Sequence, residues 1–368
     1  MNMNEYCVVI TNPMIAANKS AEVTLSKFLR IISPVYQEIT VVGGNISLER
    51  DLQGIHVYSI PIKRAPQKFK RILDIVELQV QMVRQVRNIV QKGTPVYFWV
   101  GDKMIFPYWA ARRKGADIRY FIYGNVLKEG FPSIFTKLSA KLIAYMANHA
   151  DSVCVESAHV MHEWDGLINN RKMREIHLYT SVASVTPPEQ RENIVGMLCR
   201  LTSGKHVLEC IQAFTEVKKH FPEYRMEIIG SGRQEAECKA LIQQLHADGY
   251  IDMLGWIEHD QIIEKTKKWK YLLSPSDTEG MPNSVLEMMG QGIPVIASPV
   301  GGVADIIHDG KNGWVLYETS SNDIAEQLKK VITHAELYND ISKSAQESIE
   351  KEYVLEAAQK RARTSCRM

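Results

Sequence analysis

Short apolar runs separated by longer segments of mixed character alternate along most of this chain. EYCVVI, EITVVGG, IHVYSIPI, PVYFWVG and IRYFIYG are rich in Val, Ile, Tyr and Phe, and each is bounded by turn formers or by a helical pattern, which predicts buried strands. The first of them runs straight into Thr11-Asn12-Pro13, a stop signal. Helices are expected from about Ala16 to Ile32 and from about Phe131 to Ala147. A sixth strand follows Ala150-Asp151 and ends at Ser157. Strands that alternate with helices predict a parallel sheet covered on both faces.

The pattern breaks at SVASVTPPEQREN, where Pro187-Pro188 and charged groups predict a linker. A second series then begins with NIVGML. It continues through a helix from Lys205 to His220, YRMEIIG, a helix from Gln234 to His246, YIDMLG and KYLLSPS. IPVIAS and WVLY add further strands, and Asp323–Val331 and Leu337–Arg363 read as helical. The expected architecture is α/β, with two parallel-sheet domains, 1–182 and 183–349, facing a cleft.

Composition narrows the function. Of 368 residues 45% are hydrophobic and 23% charged, and the net charge is +2, so the overall balance gives no reason to expect nucleic-acid binding. Six cysteines are scattered without a C-x-x-C pair, which argues against a zinc site or a disulfide framework and fits reduced thiols in a cytoplasmic compartment. The start MNMNEYCVVI lacks a basic segment before its apolar run, and no stretch approaches the ~20 apolar residues of a spanning helix. Neither export by a recognisable signal nor membrane crossing is expected.

The chemistry concentrates between Ser274 and Gly313. Glu279 lies in a loop and Glu287 one turn into the following helix, with Gly280-Met281-Pro282 as the turn and Asn283 or Ser284 placed to cap. Unpaired N–H groups at such a helix start attract anions, so the loop is suited to a phosphate. Glutamates early in a helix can equally be solvated groups facing the dipole. Gly301-Gly302 opens another helix, and Asp309-Gly310 and Asn312-Gly313 form turns. Arg200 stands just beyond a strand with Lys205 five residues later, an arrangement that spacing alone assigns equally to a diphosphate site or to two surface cations. Gly230-Ser231-Gly232 is a tight strand-to-helix turn, and Trp256 reads first as a core residue.

The whole stretch resembles the signature of retaining glycosyltransferases of family 4, in which S-x-x-E-G is followed by a second Glu, P-V-I-A, a G-G pair and D-G-x-x-G. The resemblance implies the GT-B fold, two Rossmann-like domains with a C-terminal segment, here about 350–368, crossing back to the first. It implies an acceptor-binding first domain and a nucleotide-sugar-binding second domain. Transfer would move a hexose-type sugar from a nucleoside diphosphate sugar to a glycan or lipid-linked acceptor, in surface polysaccharide or glycolipid synthesis. Arg200 and Lys205 would bind the diphosphate and Glu287 the ribose. Glu279 would reach the donor sugar and the charge developing at its anomeric carbon. Backbone N–H groups around Gly280, Met281, Asn283 and Ser284 would hold sugar and diphosphate, with Gly230, Gly232 and Trp256 near the nucleotide. No cofactor is implied beyond the sugar nucleotide as co-substrate, and no D-x-D-like cluster calls for a metal.

Three departures stand out: Cys199 and His206 where the family usually has glycine, and TNPMIAANKS in place of a glycine-rich loop after the first strand. The last suggests an alternative, a nucleotide-sugar-binding subunit without transfer; another sugar-nucleotide enzyme of the same fold, such as an epimerase, is a second. No acceptor-side histidine is assigned, although Tyr123-Gly124 stand where one is expected. Lys63, Arg64, Lys68, Lys70 and Arg71 adjoin a helix with Ile72, Val76, Val83, Val86 and Val90 on its expected apolar face. A core helix with a solvated basic edge is the plainer reading; docking on an anionic membrane, on the inner face, is the sharper one.

Overall fold

The computed structural model describes residues 4–14, 19–48, 52–62, 68–100, 104–124, 134–182 and 186–365. They form two compact units, the first taking in the described chain to Leu178 and again from Ala358, the second Tyr179–Ala357.

In the first unit seven strands pair in parallel: β1 (Asn4–Thr11), β2 (Tyr36–Gly44), β3 (Ile55–Ile60), β4 (Pro95–Trp99), β5 (Asp117–Ile122), β6 (Ser152–Val155) and β7 (Met173–Glu175). Their order is β3-β2-β1-β4-β5-β6-β7. The helices between them are α1 (Lys19–Ile32), α2 (Lys68–Ile89), α3 (Ile105–Arg113), α4 (Ile134–His149) and α5 (Ala158–Glu163). A central parallel strand is shielded on both faces, which is why β1 reads as an unbroken apolar run: Cys7, Val8, Val9 and Ile10 are all fully buried. Each such side chain contributes roughly 1.5–3 kcal/mol. The segment Ala150–Ser157 has plain structural work. Asp151 accepts a hydrogen bond from the Ile118 N–H at 2.8 Å, and Ser157 caps α5 by accepting from Val160 N–H at 3.1 Å.

The second unit repeats the plan with β8 (Ile194–Leu198), β9 (Arg225–Ile229), β10 (Ile251–Gly255), β11 (Tyr271–Ser274), β12 (Val295–Ala297) and β13 (Trp314–Val315), in the order β10-β9-β8-β11-β12-β13. All pairings are again parallel. Its helices are α6 (Val207–His220), α7 (Glu235–Gln244), α8 (His259–Thr266), α9 (Asn283–Gly290), α10 (Val303–Ile306), α11 (Ser321–Thr333) and α12 (Tyr338–Glu352). Val195, Met197, Phe214, Ile228, Leu273 and Leu328 belong to one core that joins this sheet to its helices. Strand order reverses between β8 and β11, and the carboxyl ends of the strands at such a reversal are the place where ligands bind in sheets of this kind.

Several expectations shift. The C-terminal helix is two: α12 stops at Glu352, and α13 (Leu355–Ser365) follows after a break. From Ala358 onward α13 belongs to the first unit, where the Gln359 amide donates to Arg30 C=O at 3.0 Å. The helix expected from Lys205 begins at Val207, behind a 3₁₀ turn over Ser203–Lys205. The short strand β7 was not anticipated, being only three residues with Arg174 and Glu175 in it. α2 buries Leu78, Met82 and Val86, and Val90 just beyond its end is buried as well, so the expected apolar face holds at the C-terminal end of the helix, whereas Val76 is 38% exposed. Lys63 and Arg64 lie outside the described residues, as do the side chains of Lys68, Arg71 and Ile72; Lys70 is exposed.

Candidate functional site

The loop leaving β8 carries Cys199, Arg200 and Lys205, and the loop leaving β11 carries Ser276, Asp277 and Glu279, so the strand reversal sets the two face to face. They are tied by backbone, since Asp277 N–H donates to Gly204 C=O at 3.1 Å, and by side chains. Lys205 Nζ is paired with Glu279 Oε1 and lies 3.3 Å from the Ser276 hydroxyl, which donates to the same carboxylate oxygen at 2.8 Å. Lys205 and Glu279 are 16% and 14% exposed, enough shielding for the pair to resist salt better than a surface pair. Ser276 belongs to the S-x-x-E motif, but its part in holding Glu279 was not anticipated.

Beside it stands a second pair. His206 Nε2 lies 2.6 Å from Asp277 Oδ1, with His206 at φ 49°, ψ 37°, a left-handed conformation costly for a residue with a Cβ. This explains why a glycine suits that position and what replaces it here: the imidazole gains a carboxylate partner that a glycine lacks. Arg200 is exposed and, among the described residues, its side chain makes no hydrogen bond or ion pair. Burial pushes the Cys199 thiol up to about 12, against the opposing influence of Lys205 and Arg200, so that side chain stays a neutral thiol.

Close backbone approach dictates the glycines. A Cβ on Gly230, at φ +141°, would fall 1.8 Å from Cys199 O, and one on Gly232 would fall 2.2 Å from Leu201 O. The pair lets the loop after β9 lie against the loop after β8, where Ser231 C=O accepts from Leu201 N–H at 3.0 Å. Gly301-Gly302 does the same for the acidic loop: Gly302 N–H donates to Gly280 C=O at 2.6 Å, and a Cβ on Gly301 would meet Glu279 O at 1.8 Å.

The start of α9 corrects the expected cap. Neither Asn283 nor Ser284 occupies the N-cap; Pro282 does, with no side-chain acceptor to offer, and the first helical bond runs from Leu286 N–H to Pro282 C=O at 3.2 Å. The amides of Ser284 and Val285 therefore precede the helical ladder, which leaves the helix start suited to an external anion. Met281 is 4% exposed, whereas Gly280 is half-buried. Glu287, one turn on, is 6% exposed, and its Oε1 is 2.9 Å from His259 Nε2. Trp256, for which a place beside the nucleotide and a place in the core were both open, is 47% exposed just beyond the end of β10, so it is not a core residue. Its loop is joined to the one after β9 by a hydrogen bond from Gly230 N–H to Gly255 C=O at 2.8 Å.

Among the described residues no three His, Cys, Asp or Glu side chains are grouped as metal ligands. No described helix is long and apolar enough to cross a membrane.

Residues 183–348, which carry all these groups, match the model of the family described as Glycosyl transferases group 1. Over 153 residues, 41% of this chain, it is 29% identical to the GtfA subunit of a UDP-N-acetylglucosamine–peptide N-acetylglucosaminyltransferase from Streptococcus pneumoniae. It is 28% identical over 36% of its length to a putative colanic acid biosynthesis glycosyltransferase, WcaL, of Salmonella typhimurium. The matches span 30% and 34% of those proteins, respectively. Anabaena HepE, solved with UDP, superposes with a TM-score of 0.78 at 16% identity, covering 98% of this chain and 100% of that one. The fold is GT-B.

Proposed function

We propose that this protein is a retaining glycosyltransferase of family 4 that takes its sugar from a nucleoside diphosphate sugar. The observation that carries the reading is the Lys205–Glu279–Ser276 network at the switch point of the second sheet, with Arg200 exposed on the same loop. Cleaving the bond from sugar to diphosphate leaves negative charge on the leaving group and positive charge on the anomeric carbon. Arg200, Lys205 and the uncapped start of α9 meet the first, doing electrostatically what a Lewis acid does elsewhere. Glu279, held in place by Lys205 and Ser276, meets the second and takes hydroxyls of the donor sugar. Glu287 takes the ribose, and Trp256 with Gly230 and Gly232 border the nucleotide. Because Lys205 is already paired with Glu279, the diphosphate meets a cation whose position is set before binding, which lowers the cost of ordering.

The acceptor is a glycan or a lipid-linked sugar, handled by the first domain. On that unit Leu73, Val80 and Phe106 are exposed at 51%, 43% and 45%, and a groove of about 730 Å³ between α2 and α3 is lined by Val80 and Phe106 with Arg87, Arg113 and Lys114. An anionic membrane surface suits that combination, and sedimentation with phosphatidylglycerol vesicles, compared with neutral ones, tests it.

The reading as a whole is tested by incubating the protein with UDP-, GDP- and ADP-sugars and following release of the nucleoside diphosphate by mass spectrometry. Turnover that falls ~10²-fold in Glu279→Gln, with an α-linked product from an α-linked donor, supports it. Tight nucleotide binding without turnover across a broad acceptor set would replace it with a silent binding subunit.

A further inference from the structure

His259 is the first residue of α8, and Glu287 the fifth of α9; twenty-seven residues and a strand separate them in sequence. Folding brings His259 Nε2 to 2.9 Å from Glu287 Oε1. The two differ in exposure, the imidazole being 45% exposed and the carboxylate only 6%. A carboxylate that deeply placed needs hydrogen-bond donors, and an ionised one accepts only. Nε2 must then carry the hydrogen, and Oε1 is committed to it. Among the described residues Nδ1 of His259 has no hydrogen-bond partner, so the ring is held through Nε2 alone.

A carboxylate on a two-bond stem turns freely about its last bond unless one oxygen is fixed. The His259 N–H holds Oε1, and so contributes to which lone pairs of Glu287 are presented to a ligand. A diol is the ligand most sensitive to that orientation, because its two hydroxyls donate to a carboxylate in parallel and lose both bonds when the plane turns. We infer that His259 is a positioning residue that orients Glu287 toward the ribose diol of the donor nucleotide, making this pair the source of discrimination between ribonucleotides and deoxyribonucleotides. The inference rests on the reading of Glu287 as the ribose contact, and extends it to a residue that reaches the nucleotide only through that carboxylate.

The experiment compares Kd values by calorimetry for UDP, GDP and ADP, each beside its 2′-deoxy and 3′-deoxy counterpart, in the wild-type chain, His259→Ala and His259→Gln. The wild-type chain should prefer its best ribonucleotide over the deoxy forms by about tenfold or more, as for hydrogen bonds to a charged group. In His259→Ala that preference should shrink to about threefold or less because ribonucleotide affinity falls while deoxynucleotide affinity holds. His259→Gln, which retains an N–H donor at similar reach, should restore most of it. A merely structural His259 would weaken all nucleotides together, and that result, like full discrimination surviving in His259→Ala, overturns the inference. The two levels fail differently. No nucleotide bound by the wild-type chain sinks the proposed function itself, whereas wild-type binding without ribose discrimination removes Glu287 from the ribose and this inference with it.

Discussion

Replacing Gly301 with alanine tests whether the acidic loop is held where it is by backbone contact. Gly301 is at φ +51°, and a Cβ there would sit 1.8 Å from Glu279 O and 2.6 Å from its carbonyl carbon. Real Cβ atoms keep at least 3.0 Å, so the Glu279 carbonyl must retreat by about 1.2 Å or more. Nothing flexible absorbs this, since the obstructing atoms are backbone. The left-handed conformation alone costs roughly 1–2 kcal/mol for a residue with a Cβ, and overpacking adds about 1–3. Gly310 provides the control: its φ is +68° but nothing lies within 4 Å of its would-be Cβ, so Gly310→Ala carries only the first cost. Urea denaturation should show the Gly301→Ala midpoint falling well below that of Gly310→Ala at unchanged m-value, a difference of about 1–3 kcal/mol. Turnover of the best nucleotide sugar should fall about a hundredfold in Gly301→Ala, because a carboxylate displaced by an ångström loses its alignment, and stay near wild type in Gly310→Ala. Equal stability and equal turnover in the two variants would refute the idea that this contact fixes Glu279.

Other expectations follow from the same geometry. Arg200→Ala should weaken binding of the nucleoside diphosphate whether or not a sugar is attached, by about 2 kcal/mol in a calorimetric titration; unchanged affinity removes Arg200 from the site. Glu287→Gln should act chiefly on KM and Glu279→Gln chiefly on kcat, the latter by ~10²-fold, in steady-state kinetics on folded protein. Asp277→Ala should cost about 1 kcal/mol in the wild-type chain and almost nothing in a His206→Gly background, a double-mutant cycle that measures what the imidazole gains for its left-handed backbone. Alkali should destabilise the fold. Burial pushes the Cys199 and Cys238 thiols up to about 12 and about 11, whereas unfolded thiols ionise near ~8.5, so the unfolded chain binds fewer protons above that pH. Stability is then lost as pH rises from ~8.5 toward 11, by about 1.4 kcal/mol per unit for each thiol, and Cys199→Ala should flatten the slope seen by denaturant titration.

Local pattern alone determined most of the architecture. Apolar runs such as EYCVVI and NIVGML are strands because a parallel sheet buries both faces, and that burial leaves its mark on every residue of the run. Glu279, Glu287, Arg200 and Lys205 stood out through the resemblance of their segments to a family signature, since spacing alone suited two surface cations and two solvated glutamates as well. What the sequence could not disclose depends on chain segments far apart. β7 has too few apolar residues to show a period, and the exposed Val76 took its place on α2 from packing, not from spacing. The N-cap at Pro282 arose because the chain enters α9 one residue earlier than the cap propensities of Asn283 and Ser284 suggested. The pairings of Lys205 with Glu279, His206 with Asp277 and His259 with Glu287 join residues 28 to 74 apart. Only the reversal of strand order beside β8 brings the first two pairs of loops together, and a hydrogen bond made across such a distance leaves no periodic trace in either partner's neighbourhood.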